Sequence, residues 1–142
     1  MNRFAFLCVM SFALVGCADD TTETPSNPDA SAASTWTSIY NTILSQDDTC
    51  TSSGCHGNPM LPPAMGSASD AYNSLVGVEA GGSCSGSGVY VVPGDPDASG
   101  LLQVLDTPNC ANNLQMPIGG QPLSADQRAA IRAWIVAGAQ NN

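Results

Sequence analysis

The stripe of apolar side chains in residues 123–139, LSADQRAAIRAWIVAGA, constrains this chain more than any other feature. Ala130, Ile131, Trp134, Ile135 and Ala137 recur at helical spacing, so the segment must lay one face against something. Ser124 with Gln127 three residues on is a capping-box spacing, and Gly138 sits where such a helix stops. Its natural counterpart lies at the other end of the domain. In TWTSIYNTILSQ, residues 35–46, Trp36, Ile39, Tyr40, Ile43 and Leu44 share one helical face, with Ser34 or Thr35 as cap. Trp36 and Trp134 are therefore expected to be core contacts between the two terminal helices. Two shorter helices are expected between them. SASDAYNSLVG has Ser67 or Ser69 as cap, Tyr72, Leu75 and Val76 inward, and Gly77 as a stop. DASGLLQVLD has Asp97 or Ser99 as cap and Leu101, Leu102, Val104 and Leu105 apolar. A brief extended run, VYVVPGDP, precedes it. The rest is loop rich in Gly and Pro, notably 56–67, 77–88 and 107–122. The expected class is all-α, with three to four short helices and long loops.

Such a domain, residues 35–142, has few large side chains and a thin core. Domains of this size and composition usually need a staple: disulfides, a metal or a cofactor. What precedes it does not supply one. Residues 1–16 are a short n-region with Arg3 and an uncharged apolar run, too short to span a bilayer, as in a secretory signal. The run ends in Leu14-Val15-Gly16-Cys17, which resembles the lipobox of bacterial lipoproteins. The resemblance implies cleavage before Cys17 and lipidation of that residue. Several acyl chains anchor firmly, at about 0.8 kcal/mol per buried methylene. The product would be exported and lipid-anchored in the bacterial cell envelope, facing periplasm or cell surface. Residues 18–34 are Ser, Thr, Pro, Ala and acid, without a large apolar side chain, and read as a flexible tether.

All twelve acids follow residue 17, there is no lysine, and loss of Arg3 with the leader leaves only Arg128 and Arg132 as cations. The formal charge of the whole chain is −9. Nucleic acid is excluded as a partner, because phosphate binding needs clustered Lys and Arg. A protein partner with basic patches suits the field; the acids also serve solubility.

Export places the remaining cysteines, Cys50, Cys55, Cys84 and Cys110, in an oxidising compartment. The only histidine, His56, directly follows Cys55 in CTSSGCHG, residues 50–57. Two thiols and an adjacent imidazole are what a c-type haem requires: thioethers to the two vinyl groups and an axial nitrogen for the iron. The usual spacing is C-x-x-C-H; here four residues separate the thiols. Thr, Ser, Ser and Gly are small enough for the loop to bulge and still present both. A second ligand is available in LQMP, where Pro117 biases Met116 to extended backbone. Met60 and Met65 compete, but lie close to His56 in sequence. Other readings of the same residues are a Cys50–Cys55 disulfide beside a solvated His56, Met116 as core packing, and a zinc site completed by Cys84 or Cys110.

The order of amphipathic helix, CTSSGCHG, Gly- and Pro-rich middle, LQMP and PLSADQRAAIRAWIVAGA resembles the small monohaem cytochromes c, in the subgroup with widened cysteine spacing. It covers nearly all of 35–140. The resemblance implies a cytochrome c-like fold, one covalent haem c on Cys50 and Cys55, and iron held by His56 and Met116. It further implies electron transfer with redox protein partners rather than enzymatic turnover. A haem enzyme such as a peroxidase would require that Met116 not bind the iron. Neither Cys84 nor Cys110 is followed by histidine, and the two are expected to pair. That bridge would close a loop of about 26 residues, contribute roughly 3 kcal/mol in the chain-entropy model, and hold the Met116 loop. The function that competes with electron transfer is a haem-free, disulfide-stapled envelope lipoprotein that binds another protein.

Overall fold

The computed structural model describes residues 34–46, 49–81, 88–108 and 114–142. The leader, Cys17, all of the tether but Ser34, and both Cys84 and Cys110 lie outside the described residues. Among the described residues four α-helices follow one another: α1 (Trp36–Ile39), α2 (Ala68–Leu75), α3 (Gly100–Asp106) and α4 (Ala125–Val136). No strand occurs among the described residues, only isolated bridges. The domain is all-α.

Local chemistry starts and stops the helices. The Thr35 side chain accepts from the Ser38 amide, and that of Ser67 from the Asp70 amide. At Ser124 both halves of the capping box are present, with Ser124 N–H donating to Gln127 Oε1 at 2.8 Å. Gly77 (φ 70°) and Gly138 (φ 95°) take the left-handed conformation just past α2 and α4. Ser99 holds the N-cap position of α3 without capping it. Its buried hydroxyl donates instead to the Asp95 carbonyl and accepts from the Val92 amide, fixing the turn before the helix.

The first helix is not uniform. After one α turn it widens into a π-helical segment, Tyr40–Leu44, with the Ser45 amide reaching the Tyr40 carbonyl at 2.9 Å. Such segments are rare and often sit at functional sites. Here the widened turn ends at Leu44, whose carbonyl accepts the Cys50 amide and the Thr49 hydroxyl. The helix end and the start of CTSSGCHG are thereby one unit.

The terminal helices meet as expected. The Trp36 and Trp134 rings lie 4.9 Å apart, and Tyr72 of α2 stands edge-on to both. Each indole N–H is used, Trp36 on the Ala68 carbonyl and Trp134 on the Gln140 carbonyl, both at 2.9 Å. The backbone of Asn142 accepts from the Thr37 amide and hydroxyl. All five stripe residues of the first helix are buried, as are Leu101, Leu102, Val104 and Leu105 of α3. In α4, Ile131, Trp134 and Ile135 are buried, but Ala137 is exposed, because it caps the helix as the chain turns away. Both arginines of α4 reach α3 and the turn before it. Arg128 pairs with Asp106 at 3.0 Å, and Arg132 with Asp97 at 2.7 Å and Asp106 at 3.9 Å. The extended run makes no sheet. It threads between α2 and α3, with Val91 N–H on the Leu75 carbonyl and Leu101 N–H on the Tyr90 carbonyl. Tyr90 and Val91 join the core by this route.

Candidate functional site

The widened cysteine motif closes on itself. The His56 amide donates to the Cys50 carbonyl at 3.0 Å, so residues 50 and 56 are neighbours despite the long gap. The Ser52 carbonyl takes both the Cys55 and Gly57 amides, at 2.9 and 3.2 Å. Ser53 and Gly54 are the exposed tip of the resulting turn. The loop thus bulges outward in the way its small residues allow. Gly57 is required by packing: a Cβ there would lie 2.0 Å from the Thr51 carbonyl oxygen. The chain after His56 therefore tolerates no other residue without opening the turn.

The histidine ring is oriented. His56 Nδ1 is 3.3 Å from the Leu61 carbonyl oxygen. A carbonyl only accepts, so Nδ1 carries the proton and Nε2 is left with its lone pair. This is the arrangement that metal-ligating histidines use, where the outer hydrogen bond sets tautomer and direction. Pro62 and Pro63 follow and stiffen the segment that supplies this carbonyl. Sequence reasoning missed Leu61, five residues past the histidine; the Pro62-Pro63 pair directly after it was the available signal.

Cys50, Cys55, His56 and Met116 line one pocket of about 520 Å³, a size usual for small-molecule and cofactor sites. One wall is Leu75 of α2 with Leu101, Val104 and Leu105 of α3; another is Leu61, Pro62, Pro63 and Met65. Tyr90 and the loop Met116–Ile118 complete it. Among the described residues no Asp, Glu, Lys or Arg lines it. The four residues singled out from sequence therefore converge, although sixty positions separate His56 from Met116. Met116 is pinned to α3 by its amide, which donates to the Val104 carbonyl at 2.9 Å, and Gln115 Nε2 donates to the Leu105 carbonyl. Met65 lines the same pocket, but its amide is tied to the His56 carbonyl at 2.6 Å, on the histidine's own loop. Met60, 82 % exposed, is not among the lining residues.

Both thiols are free; no Cys50–Cys55 disulfide is formed. Cys50 packs against the core, and burial, with Cys55 nearby as a second cause, pushes its thiol up to about 11. The thiolate is the form that attacks a disulfide or an alkylating agent. Cys50 is thus held in the form that resists premature oxidation. In haem-free protein, iodoacetamide should modify Cys50 only slowly at pH 8 and faster as the pH approaches 11, read by peptide mass mapping. Rapid labelling at pH 8 would contradict the burial of this thiol. Among the described residues no group of three or more His, Cys, Asp or Glu could hold a metal ion, so they contain no zinc cluster. No described helix is long and apolar enough to cross a membrane.

No protein-family model matches this chain, and no curated protein or solved structure was found to match it.

Proposed function

We propose that the protein is a one-electron carrier with a single covalent haem c in the 520 Å³ pocket, in a cytochrome c-like all-α domain. The observation that carries this reading is convergence. Two free thiols and an imidazole from residues 50–56, and a thioether sixty positions further on, line one mostly apolar cavity. The donor set fits the group. Cys50 and Cys55 would supply the two thiols for covalent attachment, and His56 Nε2 and Met116 Sδ would hold the iron. When bound, the haem iron supplies the change of oxidation state; the electron passes to and from partners without a substrate being converted.

The chain's own residues set the conditions. Leu61 holds the imidazole by its Nδ1–H. Leu75, Leu101 and Leu105 exclude water from the pocket floor, and α3 fixes the Met116 loop. Uncharged walls and a thioether ligand raise a reduction potential. Cys50 and Cys55 are unjoined, which leaves both thiols for attachment.

Protein purified from a host able to attach haem should be red, with Soret and α bands on reduction and haem retained after denaturation and acid extraction. A colourless protein from such a host would sink the reading. Carbon monoxide tests the second ligand. Reduced wild type should bind it slowly, and Met116→Ala at least about tenfold faster, since the competing sulfur is gone. Rapid binding by the wild type would remove Met116 from the ligand set and return a haem enzyme to consideration.

A further inference from the structure

Six large apolar side chains stand exposed among the described residues, and four belong to the two loops at the pocket mouth. Met60 (82 %) and Leu61 (44 %) lie in 57–66, Leu114 (41 %) and Ile118 (47 %) in 114–120. Leu61 and Ile118 also line the pocket. Neither loop contains a charged residue. Clustered exposed apolar surface with a polar border marks an interaction site, whereas scattered single residues do not.

A carboxylate, Asp70, borders one of these loops. Behind loop 57–66 lies a second cavity, a cleft of about 510 Å³ between Gly57, Pro59 and Gly66 on one side and Asp70, Asn73 and Ser74 of α2 on the other. The loop is therefore a shared wall, with the apolar pocket on one side and a carboxylate on the other. Asp70 Oδ2 accepts the Ser67 hydroxyl at 2.7 Å. An ionised carboxylate offers about four lone-pair sites, so it has capacity for an incoming cation.

We propose that this face docks a protein whose own apolar patch is bordered by lysine or arginine. The loop side chains meet the patch, and Asp70 receives a cationic head in the cleft. Charge selects the occupant. The chain carries net −9, has no lysine, and ties Arg128 and Arg132 to Asp106 and Asp97. A second copy and an anionic lipid surface both meet repulsion. The electron-transfer reading explains why a partner would dock at the pocket mouth, and the proposal rests on it for that purpose only; docking itself is read by binding.

The test is titration calorimetry of the purified protein with a lysine-rich cytochrome c as probe, at ionic strengths of about 0.01 and 0.15 M, where the Debye length falls from about 30 to about 8 Å. Binding should weaken with salt. Asp70→Asn should weaken it about two- to fivefold at low salt, the range of an exposed ion pair, and flatten the salt dependence. A Met60→Ser/Ile118→Ser double variant should weaken it about tenfold or more and keep the salt dependence. Val136→Ser, at a 60 % exposed apolar position on α4 outside both loops, should change nothing. Equal binding by all variants would overturn the proposal. So would a concentration-dependent dimer, or sedimentation with anionic vesicles, that the double variant abolishes. A colourless preparation with this variant pattern would sink the haem reading and leave the docking face; a red one without it would do the reverse.

Discussion

Replacing His56 with alanine is expected to remove the reduced α band of the loaded protein and to lower haem occupancy by more than about 100-fold. The magnitude follows from ligand order. Removing an outer partner of a metal ligand costs about 10- to 100-fold in affinity or activity, and His56 is proposed as the ligand itself. The fold should survive. The one hydrogen bond found for the ring is Nδ1 to the Leu61 carbonyl at 3.3 Å, and the backbone bonds of His56 to Cys50 and Met65 do not need the side chain. Loss of such a bond costs about 1 kcal/mol, so the far-UV circular dichroism of the variant should match the wild type. In the fraction that still carries haem on Cys50 and Cys55, free imidazole should restore the band by entering the vacated space. A variant with an unchanged reduced spectrum would exclude His56 as a ligand. A variant that loses its helices would show that the ring holds the loop rather than the iron.

The wide cysteine gap bears on the same site. A four-residue spacer could present two thiols in many relative positions. The structure restricts this in two ways: Leu44 receives the Cys50 amide, and Cys50 receives that of His56. The first thiol is thereby fixed to the end of the widened helix and the imidazole to the first thiol. Only the Ser52–Cys55 turn absorbs the additional length. An extra residue pair in the motif is consequently a local bulge and leaves the order of donors around the pocket intact.

Much of this was legible in the chain. Helical stripes in TWTSIYNTILSQ and in residues 123–136 located the buried faces, because packing one face against a neighbour forces a 3.6-residue period. Hydroxyl caps and stop glycines were legible because they act within four residues. Donor chemistry pointed to Cys50, Cys55 and His56 together, and left Met116 in competition with Met65, which lines the same pocket. What the sequence hid lies in the loops, where side chains follow no period. Tyr90 and Val91 enter the core through backbone bonds to α2 and α3, and Ser99 is buried for its hydrogen bonds to a turn. The π-helical widening at Tyr40–Leu44 leaves the stripe almost unchanged, so apolar spacing could not reveal it. Ala137 continued the stripe on paper, but the helix ends there and the side chain faces water.

Trp134→Ala should be the most damaging change outside the pocket, lowering stability by about 3–5 kcal/mol, the range for large aromatic truncations in a core. Trp134 is 2 % exposed, stacks on Trp36 at 4.9 Å, meets the edge of Tyr72 and donates to the Gln140 carbonyl. Alanine removes all three interactions at once and leaves a void between the terminal helices. A domain of this size holds about 5–15 kcal/mol in total, so much of it would be lost. The melting temperature should fall by more than about 12 °C. Trp134→Phe keeps a ring and should recover over half of the loss. Trp36→Ala in the same background should add less than its own single effect, because the two indoles share one contact. A covalent haem stays on the unfolded chain and stabilises through the apolar contacts it makes only in the folded one. The deficit should therefore be largest in haem-free protein, which lacks those contacts. Thermal melts of loaded and haem-free variants measure this directly. A haem-free Trp134→Ala that melts within about 4 °C of its parent would show that the aromatic pair does not join the two ends of the domain.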